Sequence, residues 1–215
     1  PGARRGLAFE LVDAIARLSR VDWKARGLEG LGRPDGFHDR QVDRWYAHLR
    51  QFEFRKIPGL DDAGDWLRGH RPRNYQPGIM HGDYQFANVM FHHGGPARLA
   101  AIVDWEMGTV GDPLLDLAWV VMGWPDEGEV RTGGYVDYTG MPNRDDLLDH
   151  YATVSGRDVD DIDYYVVLAR FKLAIVLEGG YARYVAGRAD NPRMEAFGGV
   201  VLDLAARAAE LVRTI

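Results

Sequence analysis

The sequence predicts an α+β fold that is mostly helical, with one small β-hairpin inserted at its middle. Three observations carry that expectation. Apolar residues recur at helical spacing over the first and last thirds of the chain. Between them the texture changes to short apolar runs separated by Gly- and Pro-rich turns. No repeat, low-complexity tract or composition shift marks an internal boundary, so residues 1–215 are expected to form a single domain.

The helices are read in order. Arg5–Ser19 places Leu7, Leu11, Ile15 and Leu18 on one stripe, and Asp39–Phe52 repeats the pattern with Val42, Trp45, Leu49 and Phe52. The Gly- and Pro-bearing stretch Gly27–Gly36 between them reads as a loop. A short helix over Asp61–Arg68 runs into the turn-rich Gly69–Gly78. Then Gly78–His81 is a short apolar approach, and Asn88–Phe91 and Leu99–Val103 are the hairpin strands, joined through His92-His93-Gly94-Gly95-Pro96. Asp112 and Pro113 have the cap and first-turn chemistry to start a helix over Leu114–Met122, apolar nearly all round and so expected to be buried. Asn143 is expected to cap a helix ended by Gly156. Two long helices follow, over Asp161–Val185, interrupted at Gly179-Gly180, and over Pro192–Thr214.

Bulk properties narrow the function. The 215 residues are 46% hydrophobic and 27% charged, with a net charge of −6, so the chain as a whole does not attract nucleic acid or an anionic membrane. With no cysteine, disulfides and thiolate metal sites are excluded. The apolar run near Leu117–Met122 is far too short to span a bilayer, and no signal segment opens the chain, so a cytoplasmic location is expected.

The chemistry concentrates in His81-Gly82-Asp83-Tyr84-Gln85-Phe86-Ala87-Asn88 and in Asp104, which ends the second hairpin strand. Phosphoryl transfer from a nucleotide needs a carboxylate to orient the attacking hydroxyl and two oxygen ligands to hold Mg²⁺ on the phosphates. An antiparallel hairpin supplies the second requirement, because the start of one strand lies beside the end of its neighbour: Asn88 beside Asp104. Taken singly, Asp83 is accounted for by turn chemistry, Asn88 by a strand edge and Asp104 by a strand end. The ordered set with a hairpin between is what favours a site. A metal-dependent phosphoesterase using His81, Asp83, His92, His93 and Asp104 would require a later Gly-Asn-His and further His ligands placed after strands, and the sequence shows neither. His92-His93 reads as a hairpin tip, and Trp105, Trp119 and Trp124 as core and cleft wall.

His81-Gly82-Asp83-x-x-x-x-Asn88, Ile102-Val103-Asp104-Trp105-Glu106 and Gly111-Asp112-Pro113-x-x-Asp116-Leu117-Ala118 together resemble the aminoglycoside phosphotransferase family of protein-kinase-like folds. The resemblance implies the large C-terminal lobe of that fold, using ATP and Mg²⁺ to phosphorylate a hydroxyl of a small metabolite. It implies that Asp83 is the catalytic base, that Asn88 and Asp104 bind the metal, and that His81 and Asp116 brace the loop. The local form Asp83-Tyr84-Gln85-Phe86-Ala87-Asn88 departs from the Asp-Leu-His-Pro-Gly-Asn common in antibiotic kinases. It is closer to the subgroup related to kinase domains fused to acyl-CoA dehydrogenases, which moves the expected acceptor away from aminoglycosides.

Two further expectations attach to that resemblance. A kinase-like site also needs a β-rich small lobe bearing a phosphate-gripping lysine. Neither Lys24 nor Lys56 sits in an apolar strand, so the ATP lysine is expected outside these residues, and the 215 residues alone are expected to bind nucleotide poorly and turn over little. For the acceptor, Asp126, Glu127, Glu129, Asp145, Asp146 and Asp149 offer an acidic cleft lining, though their spacing fits solvated faces equally well. Arg170 and Glu178, eight apart on the long helix, offer a face for a partly anionic acceptor such as a hydroxy acid or its thioester. The rival from another class is a non-catalytic binding or scaffold module of the same fold.

Overall fold

The computed structural model describes residues 2–125 and 135–215. Asp126, Glu127 and Glu129, expected as acceptor-side acids, lie outside the described residues. Seven α-helices and four short strands are present among the described residues: α1 (Gly2–Ser19), α2 (Phe37–Leu49), α3 (Leu60–Gly69), β1 (Gly78–Met80), β2 (Val89–Phe91), β3 (Leu99–Ile102), β4 (Thr109–Gly111), α4 (Leu114–Val121), α5 (Arg144–Ser155), α6 (Ile162–Val185) and α7 (Pro192–Thr214). The contacts divide the chain into two compact units, each assembled from two stretches: 1–35 with 75–160, and 36–74 with 161–215. No single cut in the sequence separates them, so a composition shift could not have marked a boundary.

The first unit carries the strands. Helix α1 buries Leu11 and Ile15 of the expected stripe, with Ala8, Val12 and Ala16 beside them, and packs against α5 and β1. Two antiparallel pairs form rather than one hairpin. The second is β1 with β4, which pairs Ile79 with Val110 and Met80 with Thr109. Strand β4 escaped the sequence reading because three residues, two of them small, carry no alternation to detect. The expected hairpin is β2–β3, in register Val89↔Ile102, with an irregularity at Met90/Phe91. Asn88 lies in a 3₁₀ turn (Phe86–Asn88) just before the strand. Helix α4 is buried at every position, as a surface apolar but for Asp116 requires. Asp112 Oδ1 accepts the Leu114 N–H at 3.2 Å, and Asn143 Oδ1 accepts the Asp146 N–H at 2.7 Å to cap α5. Gly156 ends α5 with φ 71°, the left-handed conformation glycine adopts without a Cβ penalty.

The second unit is α2, α3, α6 and α7, with α6 and α7 its most extensive pairing. Helix α6 is continuous through Gly179-Gly180, against the expected interruption. Packing overrides propensity here. A Cβ on Gly179 would come within 3.0 Å of the Phe52 ring, and one on Gly180 within 3.0 Å of the Phe197 ring. The two glycines are where aromatic rings lie on the helix backbone.

Arg170 and Glu178 both lie in this unit. Arg170 donates to the Arg207 carbonyl at 3.2 Å. The Glu178 side chain is 1% exposed and bidentate with Arg55, whose Nε and Nη2 donate at 2.8 and 2.6 Å. Arg55 also donates to the Gly198 carbonyl at 3.1 Å and lies over the Tyr181 ring at 4.5 Å. A buried carboxylate is tolerated because its charge and both oxygens are matched.

Removing the guanidinium strands that charge. Arg55→Met should lower stability by about 3–5 kcal/mol, and adding Glu178→Met should recover much of the loss, as read by denaturant unfolding of the single and double variants.

Candidate active site

The site grows from the end of β1. His81 and Gly82 turn the chain out of the strand, and their backbone N–H groups both point at the Asp116 carboxylate on α4. His81 N donates to Oδ2 at 2.5 Å and Gly82 N to Oδ1 at 2.7 Å. Asp116 is 1% exposed, so this pair of N–H donors helps make an ionised carboxylate tolerable there. Gly82 has φ 84°, and a Cβ on it would sit 2.6 Å from the Met107 carbonyl oxygen. Only glycine satisfies both constraints.

The His81 ring is fully buried and joins the loop to the hairpin. Its Nε2 lies 2.8 Å from the Val103 carbonyl, and the Asp83 N–H donates to its Nδ1 at 3.3 Å. A carbonyl can only accept and an amide N–H can only donate, so this arrangement specifies the neutral Nε2–H tautomer. Trp105 packs on the ring at 5.0 Å and anchors its own Nε1–H on the Ile102 carbonyl. Tyr84, fully buried, donates its hydroxyl to the Leu11 carbonyl of α1 at 2.8 Å. Burial, reinforced by the Asp116 charge, holds that phenol well above its usual range, so it stays a donor.

Held from below in this way, the Asp83 side chain meets two amides. Asn88 Nδ2 donates to the Asp83 carbonyl at 2.8 Å and to its Oδ2 at 3.0 Å. Gln85 Nε2 donates to Oδ1 at 2.9 Å. Because both Asn88 bonds are to acceptor-only atoms, the amide orientation is fixed and its Oδ1 faces away from Asp83. Asn88 itself is 8% exposed.

Asp104 joins this group through the hairpin register. The Val103 N–H donates to the Asn88 carbonyl at 2.9 Å, which brings Asp104 one residue past Asn88 across the ladder. Asp104 has φ 65°, the one non-glycine among the described residues in the left-handed region. Such a conformation costs roughly 1–3 kcal/mol and clusters at functional sites. The exposed Asp104 carboxylate and the Asn88 Oδ1 are both hard oxygen donors, the atom type Mg²⁺ takes while drawing the rest of its shell from water and phosphate. Among the described residues no three His, Cys, Asp or Glu side chains cluster as a metal cage.

The structure thus brings Asp83 and Asn88 into direct contact, sets Asp104 beside Asn88, and puts His81 and Asp116 beneath them. Asp145, Asp146 and Asp149 lie on α5, where Asp146 pairs with Arg5 at 3.5 Å. Sequence reasoning missed two participants. Gln85 was visible only as a departure from a familiar pattern. Tyr135, whose hydroxyl donates to Gln85 Oε1 at 2.9 Å, gave no signal at a separation of 50 residues.

Helix order, hairpin and loop together define a protein-kinase-like phosphotransferase fold, in its helix-rich portion. The model of the phosphotransferase enzyme family, abbreviated APH, matches residues 1–149, and the chain belongs to that family. It is 30% identical to acyl-CoA dehydrogenase family member 11 of Gallus gallus over 99% of this chain and 28% of that protein. It therefore spans little more than a quarter of that relative. A crystal structure from Ralstonia eutropha, provisionally assigned as an aminoglycoside phosphotransferase, is 30% identical and superposes with a TM-score of 0.87, covering 98% of this chain and 66% of that one. A spectinomycin phosphotransferase solved with ADP and spectinomycin has a TM-score of 0.56 over 96% of this chain and 66% of its own, at 14% identity, a likeness of fold alone.

Asp116→Asn presents an amide NH₂ to one of the two loop N–H groups and leaves it unsatisfied. The substitution should cost about 1–3 kcal/mol, measured as a lower unfolding midpoint.

Proposed function

We propose that this chain is the helical lobe of an ATP- and Mg²⁺-dependent phosphotransferase acting on a hydroxyl of a small molecule. The observation that carries the reading is the contact of Asp83 with Asn88 beside Asp104, on a loop whose backbone is fixed by Asp116. Family membership supports phosphotransfer, and the ADP bound by the spectinomycin enzyme supports a nucleotide donor.

In this reading the acceptor hydroxyl enters against Asp83, whose carboxylate oxygens each keep a lone pair beyond the amide bonds they accept. The hydroxyl oxygen attacks the γ-phosphorus of ATP, its bond to the β–γ bridging oxygen breaks, and the proton passes to Asp83, leaving ADP and a phosphate monoester. Asn88 Oδ1 and Asp104 would hold Mg²⁺, which when bound neutralises charge on the phosphates. The neutral tautomer of His81 keeps the Asp83 backbone N–H satisfied without placing a competing cation beside the base. None of Lys24, Lys56 and Lys172 lies on a strand, so no lysine here is assigned to the phosphates.

The acceptor we propose is a hydroxylated metabolite other than an aminoglycoside, a reading supported by the departure at Gln85-Phe86-Ala87 and by the likeness to acyl-CoA dehydrogenase family member 11. No helix among the described residues is long and apolar enough to cross a membrane.

In the full-length protein, Asp83→Asn should lower phosphate transfer about 10²–10⁴-fold while ATP affinity, read by calorimetry with Mg²⁺, is kept. Chelating Mg²⁺ or replacing Asp104 with Ala should abolish turnover. Near-normal turnover in Asp83→Asn removes the residue from its role, and failure to bind Mg²⁺–ATP at all favours a non-catalytic scaffold.

A further inference from the structure

We infer that Gln85, locked by Tyr135, is a positioning residue that sets the orientation of the Asp83 carboxylate independently of the metal. The inference rests on the phosphotransferase reading above and deepens it.

Asp83 is gripped at both oxygens, but the two grips differ in kind. Asn88 holds Oδ2 with the same amide whose Oδ1 is offered to the cation, so that hold is tied to metal occupancy. Gln85 holds Oδ1 with an amide that has no second duty of that sort. Its other end is occupied by the Tyr135 hydroxyl at 2.9 Å. The order of donors in this chain is determined. A carboxylate only accepts, so Nε2 must face Asp83, which turns Oε1 toward Tyr135 and makes the hydroxyl the donor. Were the amide free to flip, its oxygen would face the carboxylate and repel it. The acceptor-only carboxylate already selects against it, and the Tyr135 hydroxyl, donating to Oε1, adds a second hydrogen bond to the selected orientation.

The choice of glutamine has a chemical consequence. A Lys or Arg in its place would orient Asp83 equally well but would neutralise it, and the carboxylate must take up a proton from the acceptor. A neutral amide fixes the plane of the carboxylate at lower cost to that task. The chain therefore aims its base through two neutral amides, one shared with the metal and one not.

Tyr135 is 72% exposed, so its removal should leave the fold intact. That makes it the cleaner of two probes. Hydrogen bonds to charged groups imply that Gln85→Leu should lower kcat of Mg²⁺–ATP-dependent ADP formation about ten- to a hundredfold. The KM for ATP should stay within about twofold, because the lost interaction serves the transition state rather than nucleotide binding. Tyr135→Phe should give a smaller loss of the same kind, and the double variant should be no slower than Gln85→Leu alone, the non-additivity expected of one relay. Gln85→Glu, isosteric but anionic, should fall below Gln85→Leu. A rise in KM at unchanged kcat, or strictly additive losses, would overturn the inference.

Asp83→Asn separates this from the underlying reading. If Asp83→Asn is inert and Gln85→Leu is normal, only the positioning role fails; if Asp83→Asn is itself normal, the catalytic role of Asp83 fails first, and if the unaltered protein neither binds Mg²⁺–ATP nor turns over, the phosphotransferase reading fails. A readout that needs no turnover completes the test. The Gln85 side-chain amide resonances, identified by their disappearance in Gln85→Leu, should shift in both Asp83→Asn and Tyr135→Phe. Resonances unmoved by either change would rule the relay out.

Discussion

The structure around the site depends on one carboxylate. Asp116, buried on α4, accepts the N–H groups of His81 and Gly82 and so turns the chain as it leaves β1. From that turn the rest follows in sequence. The His81 ring is delivered between the Val103 carbonyl and the Asp83 N–H, and the Asp83 side chain is delivered to Asn88 and Gln85. Buried ionised groups are costly unless each lone pair is met. Here part of the matching comes from backbone amides of the loop being positioned, so the stability of Asp116 and the shape of the loop are one condition.

The hairpin adds the second constraint. Antiparallel pairing of β2 with β3 fixes which residues face each other, and the bond between Val103 and Asn88 extends that register to the edge of the loop. A slip by one residue would turn Asp104 to the other face of the ladder. The left-handed backbone at Asp104 and the packing of Trp105 on His81 tie the far end of the hairpin to the same turn. Asp83, Asn88 and Asp104 thus share one support, although they come from separate parts of the chain.

Much of this was legible in the sequence, and for identifiable reasons. Helices with a one-sided apolar stripe, such as α1 and α2, announce themselves by period, and Asn143 and Gly156 mark the ends of α5 by side-chain and backbone chemistry. The site motif was legible because its parts are close in sequence. What escaped lies elsewhere. Strand β4 is three residues long and is defined by its partner, not by its own pattern. Gly179-Gly180 reads as a break because glycine is a poor helix former, yet rings of Phe52 and Phe197 need that absence of Cβ. The partner of Glu178 is 123 residues away, and that of Gln85 is 50 residues away. Side-chain pairing at such distances leaves no periodic trace.

The interleaving of the two units bears on how the molecule is made. Helices α2 and α3 are synthesised early, but the residues that complete their unit begin only at 161. Until then the apolar faces of Val42, Trp45 and Leu67 have no α6 or α7 to cover them. The first unit closes over the intervening stretch, so its loop and hairpin can be assembled while the second is still open. Closing long loops is slow, and exposed apolar faces invite association with other chains. The unit that carries the loop and hairpin is thereby in a position to fold first on the ribosome, with the helical second unit left as the step most exposed to aggregation.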